Sequence, residues 1–288
     1  MSKYDVILDV YENQSISKAA QKHNYTQSAV SQTIRNYEKE IGLKRSKNGM
    51  EALPGTEPIF EELMHIRSAN TRIDQIVSNI NNLDSGFIRI GTVQSIAYNW
   101  LPGVLKNFSA EYPNITFRLY VDGFQNLTEK LRKKELDCIF VSQYVAKDFP
   151  NLPVGTDELV LVTSLDHPLA DQLTVSFADI DGQDFVLSAD DFDYETGKLF
   201  RLNHITPNVR FRINEDYTAI KMVEQGFGIT VLPKLLLHNI PFNVCVRSFT
   251  EHFRRNLSVA YLDTPELSPA LDKFLTFVTK WAKECKLI

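Results

Sequence analysis

The sequence predicts an α/β region of about 200 residues, preceded by an all-α helix-turn-helix domain and a long helix. Three patterns carry this prediction. Two short helical segments flank Asn24-Tyr25, an apolar heptad repeat runs through residues 57–83, and strand-like and helical runs alternate from residue 87 onwards. A chain of 288 residues is long enough for two or three domains of these kinds.

The composition excludes several classes of protein. With 43% apolar and 23% charged residues and a net charge of −5, the chain is neither a disordered polymer nor a uniformly basic nucleic-acid coat. Its three cysteines are far apart and show neither a disulfide framework nor metal-ligand spacing. No apolar run approaches the ~18 residues that span a bilayer, and the N-terminus lacks a signal-peptide pattern. We therefore expect a soluble, cytoplasmic protein with no membrane partner.

Charge is concentrated in one N-terminal block. Residues 14–50 hold seven basic and two acidic side chains, whereas residues 51–84 hold two basic and six acidic ones. A basic block in an acidic chain indicates a polyanion-binding module. The alternative from charge alone is a solvated helix face.

The sequence of the basic block predicts two helices joined by a tight turn. Ser15 or Ser17 can cap a first helix that ends at His23, Asn24 tolerates the left-handed conformation of a turn, and Thr26 can cap a second helix from Gln27 to about Ile41, closed by Gly42. The predicted buried side of the second helix consists of Ala29, Val30, Ile34, Tyr37 and Ile41. Amides, hydroxyls and an arginine, which are groups that hydrogen-bond base edges and phosphates, lie on its other side at Gln27, Ser28, Ser31, Gln32 and Arg35.

Residues 15–43, SISKAAQKHNYTQSAVSQTIRNYEKEIGL, resemble the N-terminal domain of LysR-type transcriptional regulators. The resemblance covers nearly all of this module and implies a winged helix-turn-helix domain over residues 1–56. His23 departs from it, because the family usually has a packed leucine there. After Gly42-Leu43-Lys44 the usual Leu-Phe pair is missing, so the wing, residues 45–52, is expected to be short or differently anchored.

A helix-turn-helix domain of this kind is expected to bind double-stranded DNA. Gln27, Ser31 and Gln32 are expected to contact bases, and Arg35 with the wing residues Arg45 and Lys47 to contact phosphates. Thr26 and Ser28, at the start of the second helix, complete the predicted DNA-binding set.

The segment 57–84 is predicted to be one dimerising helix. Its apolar positions are spaced alternately by four and three residues, and the seam consists of Ile59, Leu63, Ile66, Asn70, Ile73, Val77 and Ile80. Such a helix spans ~40 Å and needs a partner for its stripe, and Asn70 is the kind of polar residue that fixes register. The resemblance implies the same dimerising role, which predicts a homodimer or a dimer of dimers. The alternative is that the stripe packs on its own domain.

Residues 87–288 alternate between strands and helices, which predicts parallel sheets with helices on both faces. Strings such as Asp166-His167-Pro168-Leu169-Ala170 and Leu232-Pro233 resemble the effector-binding domain of LysR-type regulators. That resemblance implies two Rossmann-like lobes of the type II periplasmic-binding-protein kind. The first lobe is expected at about 87–156 and 263–288, and the second at about 157–262.

In a two-lobed fold of this kind a small-molecule effector settles between the lobes. By resemblance, the cleft is faced by Ser95, Phe124 and Ser142 from the first lobe, and by Phe192 or Asp193 and by Asp216 or Tyr217 from the second. The neutral Ser142 and the several aspartates predict a neutral or cationic effector, or an anion held by amides and hydroxyls alone. The alternative for Ser95 is that it only caps its helix.

Other chemistry has little support. Gly226-x-Gly228 lacks the third glycine of a dinucleotide fingerprint, the six histidines show no i, i+4 pair, and no catalytic motif is complete, so we expect no cofactor, no metal and no catalytic residues. The sequence thus predicts an effector-responsive, DNA-binding transcriptional regulator. The alternative is a small-molecule-binding protein or enzyme of the two-lobed α/β type with an N-terminal interaction domain.

Overall fold

The structure, a computed structural model, describes residues 3–38, 40, 43–45, 50–52, 55, 57–81, 85–188, 194–262 and 267–288. The chain divides into two compact units. One comprises residues 1–86 with 132–135, and the other comprises residues 87–131 with 136–288.

The first unit is helical apart from one short hairpin among its described residues. Its elements are α1 (Lys3–Asn13), α2 (Ile16–His23), α3 (Gln27–Glu38), β1 (Leu43–Arg45), β2 (Met50–Ala52) and α4 (Glu57–Asn81). Strands β1 and β2 are antiparallel. Helix α1, which was not predicted from the sequence, contributes the buried side chains of Val6, Ile7, Leu8 and Val10.

The predicted caps and turn of the helix-turn-helix are confirmed. Ser15 Oγ accepts a hydrogen bond from Lys18 N at 3.3 Å, and Thr26 Oγ1 accepts one from Ala29 N at 3.2 Å. Asn24 adopts the left-handed conformation, with φ of 56°. Local chemistry alone therefore determines where α2 and α3 begin and how they are joined.

The predicted buried face of α3 is correct at Val30, Ile34 and Tyr37 and wrong at Ala29, which is exposed. Ala29 lies four residues before Thr33, which is only half-buried, and positions four apart are neighbours on one side of a helix. Ile41 and Gly42 lie outside the described residues, and the described part of α3 ends at Glu38.

Helix α4 divides its apolar stripe between two environments. Leu63 is 4% exposed and, with its neighbour Phe60 and the half-buried Ile59, belongs to the core of the first unit. The assignment of Ile59 and Leu63 to a dimer seam is therefore corrected: their burial partners are α1, α2 and α3 of their own chain. Ile66, Ile73 and Val77 are 37%, 56% and 50% exposed. Asn70 is half-buried, and the side chain of Ile80 lies outside the described residues.

The second unit contains the alternating strands and helices. Its strands are β3 (Ser85–Thr92), β4 (Asn114–Val121), β5 (Cys138–Ser142), β6 (Asn151–Ser164), β7 (Asp184–Leu187), β8 (Asn208–Arg212), β9 (Thr230–Pro233), β10 (Val244–Ser248) and β11 (Arg254–Tyr261). Its α-helices are α5 (Gln94–Asn99), α6 (Leu101–Glu111), α7 (Phe124–Arg132), α8 (Gln143–Ala146), α9 (Tyr194–Leu202), α10 (Asp216–Glu224) and α11 (Pro269–Glu284). Short 3-10 helices cover Pro168–Asp171, Phe177–Ile180 and Lys234–Leu237.

The sheets are mixed rather than purely parallel, which corrects the prediction. In the described chain, seven strands form one sheet in the order β10-β6-β11-β5-β3-β4, with β9 also paired to β6. Strand β3 runs parallel to β5, but β11 runs antiparallel to both β5 and β6. The alternation of strands and helices along the chain does not reveal the antiparallel direction of β11. Strands β6 and β11 connect the two lobes, and neither returns to the sheet through a crossover helix.

The second unit consists of two lobes, because its buried apolar side chains form separate cores. In the first lobe, α6 and α11 pack on one face of the sheet around Phe108 and Phe274, and α7 and α8 cover the other face around Leu127 and Val145. The second lobe has its own core around Phe185 and Ile220. Residues 257–261 of β11 pair with β5, so this half of β11 belongs to the first lobe. The predicted boundary after residue 262 is therefore placed too late.

Candidate nucleic-acid interface and effector cleft

Helix α3 presents a polar outer face. Gln27, Ser28, Gln32 and Arg35 are exposed, and Ser31 is half-buried. Thr26 Oγ1 caps the helix and lies 2.9 Å from Ser28 Oγ, while Gln32 Nε2 donates to Asn36 Oδ1 at 3.0 Å. Because Val30, Ile34 and Tyr37 anchor the opposite face in the core, these amides, hydroxyls and the guanidinium are held on the surface, where they suit base edges and phosphates.

The wing carries the other predicted DNA contacts. The backbone of Arg45 ends β1. The side chain of Arg45 and the whole of Lys47 lie outside the described residues. The sequence analysis did not include Tyr25 and Asn36, which are also exposed beside the polar face of α3. Their position next to Thr26 and Gln32 was the available signal.

A buried carboxylate joins three helices beneath this face. Asp9 of α1 is 1% exposed. It lies 2.6 Å from His23 Nε2, 2.7 Å from Lys22 Nζ and 3.3 Å from an Nη of Arg67 on α4. Burial by itself would raise the pKa of Asp9, but the hydrogen bonds from Lys22 and His23 and the charge of Arg67 outweigh it and lower that pKa. Asp9 is thus ionised in the folded domain.

The second unit holds a cleft of about 1200 Å³ between its lobes. Of the predicted effector residues, Ser95, Phe124 and Asp216 line it. Ser142 is not among the described lining residues, and of the alternatives Asp216 and Tyr217 it is Asp216 that lines the cleft. Ser142 Oγ accepts from Val145 N at 3.4 Å and caps α8 instead. Phe192 and Asp193 lie outside the described residues.

Ser95 has a partner that the sequence analysis did not foresee. Its Oγ accepts a hydrogen bond from Arg255 Nη2 at 2.8 Å, and the same guanidinium donates to Asp157 Oδ2 through Nη2 at 2.8 Å and Nε at 3.2 Å. The alternative that Ser95 caps its helix is wrong, because Val93 is the N-cap residue of α5. Ser95 is held in the cleft by an arginine of β11.

Asp157 and Arg255 face each other on the two strands that connect the lobes. Asp157 Oδ1 accepts from Leu235 N in the second lobe at 3.0 Å, and Asn99 Nδ2 of α5 donates to Leu235 O at 2.5 Å. A buried polar chain therefore runs from Ser95 in the first lobe, through the connecting strands, to the second lobe.

The second-lobe wall of the cleft is acidic. Glu215 is the N-cap of α10, with Oε1 accepting from Tyr217 N at 3.0 Å and Oε2 from Thr218 N at 2.6 Å. Gln94 Nε2 of the first lobe also donates to Glu215 Oε1, at 3.2 Å. Burial would raise the pKa of Glu215, but these hydrogen bonds outweigh it and lower that pKa. Ser188 Oγ donates to Asp216 Oδ1.

One tyrosine that lines the cleft packs against a second tyrosine. The ring of Tyr98, which lines it, meets the ring of Tyr217 edge-on at 5.8 Å between centroids. Burial, with the nearby Tyr98, Asp216 and Glu215, raises the pKa of Tyr217 to about 12, so this phenol stays protonated at neutral pH.

Two arginines, Arg201 and Arg255, line the cleft and correct the expectation that an anion would meet amides and hydroxyls alone. Arg255 could have been found from its strand, because Arg255 and Leu257 share the inward side of an alternating pattern. Arg201 carried no comparable signal.

Neither metal nor membrane chemistry is indicated by the described part of the chain. Within it, no three histidine, cysteine, aspartate or glutamate side chains come together in a way that could hold a metal ion. Its helices include none with the length and apolarity needed to cross a bilayer.

Comparison with models of protein families identifies the functional class of this chain. A model of the LysR substrate binding domain matches residues 81–283, and a model of the bacterial regulatory helix-turn-helix of the LysR family matches residues 1–47. The chain belongs to the LysR family of transcriptional regulators. This LysR-family regulator is thus a DNA-binding transcriptional regulator with an effector-binding domain, and the predictions of fold class and function are confirmed.

Relatives match this LysR-family regulator along nearly its whole length. The transcriptional dual regulator GltC of Bacillus subtilis is 28% identical, covering 95% of this chain and 94% of its own. The probable regulator LrrA of Synechococcus elongatus is 27% identical over 99% and 98% of the two chains.

Solved structures share the fold of this LysR-family regulator. Full-length CbnR bound to its target DNA superposes with a TM-score of 0.74 at 16% identity, covering 98% of this chain and 99% of its own. The effector binding domain of QuiR in complex with shikimate has a TM-score of 0.62 at 24% identity, covering 69% of this chain and 98% of its own.

Proposed function

We propose that this regulator reads a promoter sequence through the exposed face of α3 and that a small molecule bound between its lobes changes this activity. The observation that carries the proposal is the polar face of Gln27, Ser28, Gln32 and Arg35, mounted on the buried side chains of α3. Gln27, Ser31 and Gln32 contact bases, whereas Arg35, Arg45 and Lys47 contact phosphates. Thr26 and Ser28 position the start of the helix on the DNA backbone.

The regulator acts as a homodimer or a dimer of dimers through the distal part of α4. Ile66, Ile73 and Val77 support this proposal because they recur on one stripe of the helix and are exposed in the single chain. The half-buried Asn70 lies within the same stripe and would fix the register of the pair. Ile80 continues the repeat.

The cleft lined by Ser95, Phe124 and Asp216 is the effector site, and the chain is not an enzyme. Support comes from the chemistry of the cleft, whose described hydroxyls, amides, carboxylates and guanidiniums can hold a ligand but form none of the nucleophile–base pairs of a hydrolase. The protein works in the cytoplasm, where a bacterial regulator of this family meets its DNA.

Fluorescence anisotropy tests this proposal. A labelled duplex enriched from a random pool by repeated binding is compared with a scrambled duplex between 50 and 200 mM salt, concentrations over which a protein contacting six or more phosphates loses roughly a thousandfold in affinity. We expect both duplexes to show this steep loss and the enriched duplex to bind more tightly at every salt concentration. Salt-independent binding, or a pool from which no sequence is enriched, would contradict the proposal.

A further inference from the structure

The floor of the cleft presents two hydrogen-bond donors side by side. The Arg255 side chain is 4% exposed and lines the cleft, yet its Nη1 donates to none of the described residues. Ser95 Oγ accepts from Arg255 Nη2, and its own hydroxyl proton has no acceptor among the described residues. Donors that line a cleft and have no acceptor in the described protein are suited to the oxygens of a ligand's carboxylate.

The facing wall offers the opposite chemistry. All four hydrogen bonds to Glu215 come from neutral donors, namely Tyr217 N, Gln94 Nε2, Thr218 N and Thr218 Oγ1. The first amides of α10 are therefore already used, and the charge of Glu215 is not balanced by a cation within the described chain. Asp216 adds a second carboxylate to the lining, and Tyr98 adds an aromatic ring that packs on Tyr217, the residue after Asp216. Carboxylates and an aromatic face together favour an ammonium group.

Two sites of opposite chemistry, Ser95 with Arg255 and Glu215 with Asp216, line the same cleft. Gln94 precedes Ser95 in the chain, and its side-chain amide reaches Glu215 Oε1 at 3.2 Å. A ligand that bridges Ser95 and Glu215 therefore crosses a gap that the single side chain of Gln94 also crosses. Among the described residues, the other charged side chains that line the cleft are Arg201 and Asp122, and Lys130 Nζ lies 3.7 Å from Asp122 Oδ2.

We infer that the effector is a free α-amino acid, bound with its carboxylate at Ser95 and Arg255 and its ammonium group at Glu215 and Asp216. This inference rests on the proposed role of the cleft as the effector site. A dicarboxylate fits less well, since its second acid group would face Glu215 and Asp216. A simple amine would leave the donors of Ser95 and Arg255 without an acceptor.

The test uses the full chain and a matched ligand series. The twenty common L-amino acids are screened one at a time by thermal melting, and the strongest ligand is titrated by calorimetry. The corresponding acid without the amine and the corresponding amine without the carboxylate are titrated in the same way. We expect each truncated analogue to bind about tenfold or more weakly, because each loses one set of charge-assisted hydrogen bonds.

Two variants test which residues bind the ammonium group and which bind the carboxylate. Asp216→Asn should weaken the amino acid and leave the deaminated acid unchanged or improved. Ser95→Ala should weaken the amino acid and the deaminated acid but not the amine. Asp171→Asn, an exposed aspartate outside the cleft, is the matched control and should change none of the three affinities.

Some outcomes would overturn the inference. It is wrong if none of the twenty amino acids raises the melting temperature, or if the deaminated acid or the amine binds as tightly as the parent. The same preparation is assayed for binding to the enriched duplex. If no amino acid binds but the protein still binds the enriched duplex selectively, only the inference about the effector is wrong and the proposed regulatory function stands. If selective DNA binding also fails, the proposed function itself is contradicted.

Discussion

His23 Nε2 lies 2.6 Å from Asp9 Oδ2, with both side chains buried in the helix-turn-helix domain. His23 occupies the position at which LysR-type regulators usually have a packed leucine, so a hydrogen-bonded contact to a carboxylate replaces an apolar one. Lys22 and Arg67 also reach Asp9. The carboxylate therefore links α1 and α2 to the long helix α4.

Removing one member of this buried pair should be more harmful than removing both. Asp9→Ala is expected to lower the free energy of unfolding by about 3 kcal/mol, because it leaves His23 buried without its acceptor. The double variant Asp9→Ala with His23→Leu should recover to within about 1 kcal/mol of the parent, since an apolar pair fits an apolar core. Urea unfolding followed by circular dichroism measures both. A double variant as unstable as Asp9→Ala would show that the pair is not coupled.

The same carboxylate predicts a pH dependence. Because the pKa of Asp9 is lower in the folded than in the unfolded chain, its ionised form stabilises the fold above its ordinary value of 3.8. This contribution is lost as the pH falls through the folded value. Relative to the parent, Asp9→Asn should melt at a lower temperature at pH 7, and the difference should shrink below about pH 4. A difference that stays constant from pH 7 to pH 3 would rule out the ionised carboxylate as its source.

Gln27 should contribute sequence selectivity rather than general affinity. Gln27→Ala is expected to cost about 1–3 kcal/mol on the enriched duplex and much less on a scrambled one, because only base contacts distinguish the two. Gln172→Ala, an exposed glutamine in the second unit, is the matched control and should affect neither. Equal losses on both duplexes would mean that Gln27 only positions the protein.

Positions along α4 should differ in what they control. Ile73→Asp should shift the sedimenting species towards a monomer while the chain stays folded, because Ile73 is exposed in the single chain and the aspartate would be left unpaired in a dimer seam. Leu63→Asp should instead unfold the helix-turn-helix domain, because Leu63 is 4% exposed in that domain's core. Unchanged mass with Ile73→Asp would place the dimer contact elsewhere.

Gly228 should tolerate no side chain. Its φ is +140°, and an added Cβ would lie 2.3 Å from the backbone oxygen of Asp184. Gly226 also has a positive φ, of +79°, but the space around it is open. Gly226→Ala should therefore cost only about 1–2 kcal/mol, the conformational penalty alone, and Gly228→Ala clearly more. Comparable melting temperatures for the two variants would contradict the steric argument.

Local signals in the sequence were sufficient for the helix-turn-helix. Ser15, Asn24 and Thr26 act on backbone groups within a few residues, so their roles could be predicted without knowing any distant partner. The same holds for most strands of the second unit, whose apolar runs are long enough to indicate burial. The family resemblance then supplied the general position of the cleft.

Partners distant in sequence could not be predicted in this way. Ser95 and Arg255 are 160 residues apart, and Asp9 and Arg67 are 58 apart. A repeat pattern gives the buried side of a helix or strand but not the element that covers it, which is why Leu63 was assigned to a seam between chains. By itself the sequence determined the local elements, their caps and the family. Only the tertiary structure decided the mixed direction of the sheet, the split stripe of α4 and the arginine that holds Ser95, because each depends on which distant segments meet.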